Sequence, residues 1–293
     1  PPGTKARSAH DMGREVKVLR GLSCHVPVPK VLAACDDETV FGFPFYVMER
    51  LRGIILRQDL PAGLTLTPEA ATRLCSAALN TLVDLHALDV STTGLDSLGR
   101  GAGYCRRQVE GWSKRFEKAR TPDAADFTDV MAWLAARIPE DVRTCIIHND
   151  FRFDNLVLDP DRVDHIIGVL DWEMCTLGDP LMDLGGSLAY WVEADDDAVA
   201  MLMRRQPTHL PGMLTRQELV DAYFAKSGLE PRPFDFYQVF GVFRLACILQ
   251  QIYYRWFHKQ TQNPMFAPFG DMARYLESRC LQLIAASTVP PLH

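Results

Sequence analysis

Between Cys145 and Asp171 the chain carries three short apolar runs, "CIIHND", "NLVLD" and "HIIGVLD", each about the length of a strand and closed by polar residues. They form an island of expected β structure, because helical patterns prevail on both sides. Thr67 as N-cap and Pro68 at the first helical position predict a helix to about Leu88. Further helical patterns run from about Tyr104 to Ile138, and helices return from about Asp179 to the C-terminus. Near the N-terminus, Ser8 and Asp11 have capping-box spacing and predict a helix through about Leu22 that carries Glu15. Two extended runs follow, "VPKVLAAC" and "FPFYVMERL", rich in β-branched and aromatic residues and bounded by Pro or Gly. The pattern predicts an α+β protein with two lobes. A small mixed lobe covers residues 1–53 and a large, mainly helical lobe covers 54–293, with the boundary near Arg52 to Leu60.

Composition narrows the function classes. With 293 residues, 47% hydrophobic and 23% charged, the chain can bury a large core. A net charge of -6 argues against a broad nucleic-acid surface, since phosphate binding needs clustered Lys and Arg. The eight cysteines show no CxxC pair, which points to buried thiols of a reducing cytoplasm rather than to zinc or disulfides. The most apolar segment, "VFGVFRLACILQQIYYRWF", contains Arg244, Gln250, Gln251 and Arg255, so a membrane span is not expected. The chain opens on Pro1-Pro2-Gly3 with no visible signal peptide, and a segment ahead of Pro1 is expected.

The first two apolar runs flank a densely charged stretch, "CIIHNDFRFDNLVLD", in which His148, Asp150 and Asn155 have the spacing HxDxxxxN. A strand ending in a loop can aim an acid and an amide into one pocket. Asp171 then ends a further apolar strand, ahead of "MCTLGDPLMDLG". HxDxxxxN alone recurs by chance, but its conjunction with a strand-borne Asp171 and "GDPLMDLG" is far more specific.

This combination resembles the core of the aminoglycoside phosphotransferase and choline kinase family, which is similar to the protein kinases. The resemblance covers most of the chain and implies a kinase-like two-lobed fold and an ATP- and Mg²⁺-dependent small-molecule kinase. On it, Asp150 accepts the proton of the substrate hydroxyl, Asn155 and Asp171 are the metal ligands, and His148 braces the loop. "FYVMERLRG" looks like the strand entering the interlobe hinge, where main-chain groups around Glu49 and Leu51 would bind adenine. Glu15 is placed like the helix glutamate whose partner in kinases is a phosphate-binding lysine; by itself it reads as a solvated helix charge. Hard oxygen donors suit Mg²⁺, and one acceptor suits an incoming hydroxyl.

Two departures from the family pattern stand out. No glycine-rich hairpin and no lysine-bearing strand precede Glu15, and Lys5 lies in a stretch without strand character. Asn149 occupies a position where many relatives have Gly. Within the family, "HNDFRFDNLVLD", "GVLDWEMCTLGDPLMDLGGSLAYW" and "FGVFRLACILQQIYYRW" look like the branch related to the kinase-like domain attached to certain acyl-CoA dehydrogenases. Nothing in the chain resembles a flavin-binding dehydrogenase fold.

Arg244, Gln251 and Arg255, with His258 less closely, share one face of a helix whose other faces carry Phe240, Phe243, Leu245, Leu249 and Ile252. Such a stripe either lines a cavity or pairs with neighbouring helices. As a site it would suit a carboxylate or phosphate better than a polycation. The "EADDD" run at Glu193–Asp197 could attract a cation, but reads more simply as a solvated face. The branch resemblance points to a hydroxylated acyl group or its CoA thioester. An aminoglycoside acceptor and a pseudokinase that binds nucleotide without turnover remain as alternatives. The sequence does not indicate the oligomeric state.

Overall fold

The structure is a computed structural model that describes residues 11–290. In chain order its longer elements are α1 (Met12–Leu22), β1 (Val31–Cys35), α2 (Glu38–Phe41), β2 (Phe45–Met48), α3 (Pro68–Ala87), α4 (Tyr104–Lys118) and α5 (Thr128–Ala135). These are followed by β3 (Cys145–Ile147), β4 (Leu156–Leu158), β5 (Ile166–Val169), β6 (Thr176–Gly178) and α6 (Pro180–Leu188). The chain closes with α7 (Ala198–Met203), α8 (Arg216–Ser227), α9 (Asp235–Phe257) and α10 (Phe269–Ala286). Its sheets are the two-stranded pairs β1–β2, β3–β6 and β4–β5.

Local chemistry sets the element ends. Asp11 caps α1 by accepting from the Arg14 amide at 3.0 Å, whereas Ser8 lies outside the described residues. Thr67 caps α3 as expected, accepting from the Ala70 amide at 3.3 Å. The helical region expected from Tyr104 to Ile138 holds two helices, α4 and α5, separated by residues 119–127, where Pro122 lies and Phe127 adopts a left-handed backbone conformation at φ 52°. The short α2 was not legible as a helix; Asp37 caps it and Gly42 ends it in a left-handed turn.

The chain divides into two compact units. One comprises residues 1–100, 145–177 and 205–227, and the other residues 101–144, 178–204 and 228–293. This division by compactness is a different cut from the boundary near residue 53 drawn from the sequence.

In the first unit, β1 and β2 are antiparallel with Cys35 opposite Phe45 and Val31 opposite Met48. β4 and β5 are also antiparallel, with Leu156 opposite Val169. Leu156, Val157 and Leu158 are all buried, as are Cys145, Ile146 and Ile147 of β3, which explains their continuous rather than alternating apolar runs. Ile54 bridges to Leu158 beside β4, and a Cβ on the neighbouring Gly53 would collide with the Leu158 carbonyl. In the second unit, α9 packs against α6 and α10. Close approach of α6 and α9 requires glycine at 185 and 241, where a Cβ would strike the backbone of the facing helix.

Six cysteines are buried, while Cys24 is exposed and Cys35 half-buried, so the expectation of uniformly buried thiols fails at the ends of the first strand region. No helix among the described residues is long and apolar enough to cross a membrane. The "EADDD" run is structural rather than merely solvated. Asp196 pairs with Arg279 at 3.0 Å, and Asp197 caps α7 through the Val199 and Ala200 amides.

Candidate functional site

The charged stretch turns out of β3 and returns as β4, and both strands are buried, so its loop is held from both ends. His148 is fully buried at the end of β3. Its Nδ1 accepts from the Asp150 amide at 3.2 Å, which leaves Nε2 to donate to the Leu170 carbonyl at 3.0 Å. That pattern assigns the neutral Nε2–H tautomer. The ring also packs on Trp172 at a centroid distance of 4.6 Å. His148 thus ties the Asp150 loop to the segment bearing Asp171.

Asn155 is buried and locks the same loop from its other end. Its Nδ2 donates to the Asp150 carbonyl at 2.8 Å and to Asp150 Oδ2 at 3.0 Å. Both partners are acceptors, so the amide orientation is fixed, and Asn155 Oδ1 is left as a free acceptor among the described residues. The Asn155 carbonyl accepts from the Leu170 amide at 2.8 Å, which brings Asp171 alongside. Asp150 and Asn155 are therefore joined directly, and Asp171 follows a residue paired with Asn155 and feels the Asp150 charge.

Two left-handed residues frame this arrangement, Asn149 at φ 65° and Asp171 at φ 64°. A non-glycine residue there is strained by roughly 1–3 kcal/mol. Asn is among the residues that tolerate the conformation best, and its side chain donates to the Met174 carbonyl at 3.0 Å. This is the physical reason that position 149 accepts either Gly or Asn.

Electrostatically the site is acidic. As a whole residue Asp171 is exposed, yet its carboxyl is partly withdrawn from water. That burial, with the charges of Glu173 and Asp150, raises its pKa. Burial also raises Asp154, against the opposing pull of Arg152, and Asp154 Oδ1 is buried without a hydrogen-bond partner among the described residues. A group of carboxylates with unspent acceptors fits a hard divalent cation, which would offset both the burial and the smaller repulsion that raise these pKa values.

Two residues of this site were missed in the sequence. Arg152 lies 2.9 Å from Asp150 Oδ1 through Nε, donates to Oδ2 through Nη2 at 3.0 Å, and reaches Asp154 at 3.2 Å. It sits inside the motif, but its reach back to Asp150 depends on the extended backbone at 152. Glu173 is the largest acidic influence on Asp171, and its position two residues on is the signal that could have found it.

Glu15 meets this group from α1. It accepts hydrogen bonds from the Tyr46 hydroxyl and the Trp172 amide, and burial is the largest cause raising its carboxyl pKa. Tyr46, rather than a lysine, is its side-chain partner among the described residues; Lys5 lies outside them. Beside it, Arg14 Nη2 donates to the carbonyls of Cys175 at 2.7 Å and Leu98 at 3.1 Å.

In the segment expected to be the hinge, the Glu49 amide donates to the Lys30 carbonyl at 2.9 Å and its Oε1 accepts from the Lys30 amide at 2.8 Å. The Glu49 carbonyl and Leu51 amide have no hydrogen-bond partner among the described residues. The Leu51 side chain lies against Gly168, where a Cβ would overlap its Cδ1.

The α9 stripe is not uniform. Arg244 is buried with its guanidinium 5.4 Å from the Trp112 ring centroid, Gln251 is half-buried and donates to the Cys247 carbonyl of its own helix, and Arg255 is exposed. Gln250 is spent on structure, donating to the Ala119 carbonyl at 2.9 Å and Thr121 Oγ1 at 3.2 Å.

A strand-held loop presenting an acid and an amide beside a second strand-end acid is the arrangement of kinase-like phosphotransferases. The chain belongs to the phosphotransferase enzyme family APH, which residues 1–219 match. It is 36% identical over 258 residues to acyl-CoA dehydrogenase family member 10 of Mus musculus, covering 87% of this chain and 24% of that protein. It is 34% identical over 289 residues to acyl-CoA dehydrogenase family member 11 of Homo sapiens, covering 97% of this chain and 36% of that protein. The chain therefore spans about a quarter to a third of the length of these relatives. Among solved structures, a Ralstonia eutropha protein provisionally named an aminoglycoside phosphotransferase superposes with a TM-score of 0.83 at 28% identity, covering 95% of this chain and 84% of that one. An APH(4)-Ia aminoglycoside phosphotransferase mutant, solved with ADP and hygromycin B, shares the fold at a TM-score of 0.56 and 15% identity, covering 94% of this chain and 84% of that one. The kinase-like α+β fold read from the sequence stands.

Proposed function

We propose that the chain transfers the γ-phosphoryl group of ATP to a hydroxyl of a small molecule, with a hydroxylated acyl compound or its CoA thioester as the acceptor class. The observation that carries this reading is the joint placement of Asp150, Asn155 and Asp171 by hydrogen bonds through the Asp150 and Leu170 backbones. The 34–36% identity to acyl-CoA dehydrogenase family members supports an acyl acceptor over an aminoglycoside.

Each residue has a definable task. The Asp150 carboxylate accepts the hydrogen bond of the incoming hydroxyl and takes its proton as the oxygen–phosphorus bond forms and the bond to the leaving diphosphate breaks. Arg152, held on Asp150, keeps that carboxylate oriented. Asn155 Oδ1 and the Asp171 carboxylate would hold Mg²⁺, which supplies charge neutralisation for the β- and γ-phosphates. The Glu49 carbonyl and Leu51 amide offer an acceptor and a donor to the adenine edge, and Glu15 anchors α1 to the metal-bearing segment. Arg244, Gln251 and Arg255 share a face of α9 whose guanidinium groups would suit an anionic group. Absence of a membrane-length helix and the free thiols suit a cytoplasmic setting.

A screen of hydroxylated acids, their CoA thioesters and aminoglycosides, followed by Mg²⁺-dependent ATP consumption, tests the reading. Turnover on an acyl acceptor that disappears in Asp150→Asn is expected. Nucleotide binding without turnover on any acceptor would favour the pseudokinase, and turnover on aminoglycosides alone would overturn the acceptor class.

A further inference from the structure

A cavity of about 500 Å³ lies in the first unit on the outer side of α1, and none of the residues assigned above lines it. Its volume is within the range of small-ligand sites. The lining is divided by chemistry. Met12, Val16, Ala34 and Phe45 give apolar contact, while Lys17 and Arg20, one turn apart on the exposed edge of α1, bring two cations. Asp36, at the end of β1, is the one acid of the lining. Lys17 makes a hydrogen bond only to Ser97 Oγ, at 2.8 Å, and Arg20 has no side-chain partner among the described residues. Two cations against one acid leave the cavity with a positive balance. A Cβ at Gly13, which lines the cavity, would meet nothing nearer than the Asp11 carboxylate at 3.5 Å, so a side chain can be built there.

We propose that this cavity binds an amphipathic organic anion, an apolar body bearing one acid group, and that its occupancy acts on the phosphotransfer site through α1. The apolar body would cover Val16, Ala34 and Phe45, and the acid would sit on Lys17 and Arg20. Asp36 repels an acid from the β1 end and so fixes the ligand's direction. Coupling follows from what else α1 carries. Glu15 and Arg14 of the same helix hold the Trp172 amide and the Cys175 carbonyl, directly after Asp171. A ligand that fixes or shifts α1 therefore fixes or shifts that segment, a packed helix moving as one body.

The test uses anilinonaphthalene sulfonate, an aromatic body with one acid group, titrated into the chain by fluorescence, with decanoate as competitor. Saturable binding displaced by decanoate is expected, weakened at least about tenfold by Lys17→Glu with Arg20→Glu and by Gly13→Phe, a loss of about 1.4 kcal/mol or more. Gly13→Phe fills the cavity, and the charge reversal tests it without filling it. The exposed apolar residues Leu32, Phe41 and Phe43 are a competing dye site, so Phe43→Ser should leave binding unchanged. Hydrogen exchange at Trp172–Cys175 should slow on saturation. Absence of saturable binding, binding that survives both cavity variants, binding lost in Phe43→Ser, or unchanged exchange at full occupancy would each overturn the proposal.

Discussion

Asn155 Nδ2 lies 3.0 Å from Asp150 Oδ2 and 2.8 Å from the Asp150 carbonyl, so the residue assigned to the metal also fixes the residue assigned to the acceptor hydroxyl. The two are not independent parts. Substitutions at 150 and 155 should be non-additive, because each removes a partner of the other.

Asp150→Asn is expected to lower turnover by about 10²- to 10⁴-fold, the usual contribution of a positioned general base. Mg·ATP affinity should stay nearly unchanged, because one side-chain oxygen remains for Asn155 or Arg152. Steady-state turnover alongside calorimetric nucleotide titration checks this. Full activity would remove Asp150 from the catalytic role.

Asp171→Asn should weaken nucleotide binding and make it more dependent on added Mg²⁺, unlike Asp150→Asn. His148→Ala belongs with it in direction. Losing the bonds to Leu170 and Asp150 frees both segments, and loss of such support to a metal site costs about 10- to 100-fold in metal affinity. Nucleotide titrations over a range of Mg²⁺ concentrations read both effects, and ATP binding indifferent to metal in both variants would contradict the assignment.

The site was legible in the sequence to the extent that its geometry is local. His148, Asp150 and Asn155 fall within eight residues between two buried strands, so spacing alone brought them together. Asp171 was readable because it ends another apolar run. Arg152 was not, because its role depends on which way an extended residue points. Glu15 could be placed on a helix, but its partnership with Tyr46 is a tertiary fact with no periodic signature. Periodicity also grouped Arg244, Gln251 and Arg255 correctly on one face, yet it could not show that burial changes along that face from one end to the other. The gap between α4 and α5 did carry a signal, since Pro122 lies in it, but the left-handed Phe127 that closes it is neither Gly nor Asn and has none.

Gly53→Ala should destabilise the first unit by about 1–3 kcal/mol, as a Cβ at 53 is driven into the Leu158 carbonyl where Ile54 pairs with β4. Glu49 and Leu51, proposed above to meet the nucleotide, precede this contact, so nucleotide affinity should fall with stability. Denaturant unfolding and nucleotide titration of the variant measure the two losses. A stability equal to that of the parent would show that the bridge at Ile54 is easily displaced.

Asp179 gives the clearest pH dependence, and its sign can be worked out. The side chain is fully buried. Oδ1 accepts from the Leu181 and Met182 amides at 2.8 and 3.2 Å, and Oδ2 accepts from the Val142 amide at 2.6 Å. Burial outweighs these bonds, with Asp141 adding to it, and the carboxyl is pushed up to about 6 from an ordinary 3.8. The folded chain therefore holds this proton more tightly than the unfolded chain does. Its contribution to stability is present in full below about pH 3.8 and is lost as pH rises through about 6. The difference of 6 less 3.8 corresponds to about 3 kcal/mol at most. At Asp141 burial is outweighed by the Cys105 and Tyr104 amides, so that residue titrates lower and contributes the opposite slope. Asp179→Ser keeps a cap on α6 but removes the titrating group, so comparison with it isolates Asp179. The stability of the parent relative to Asp179→Ser, from denaturant unfolding, should increase as pH falls from about 7 to about 4. A difference that stays flat or decreases over that window would mean that Asp179 remains ionised when buried, held by its three amide donors alone.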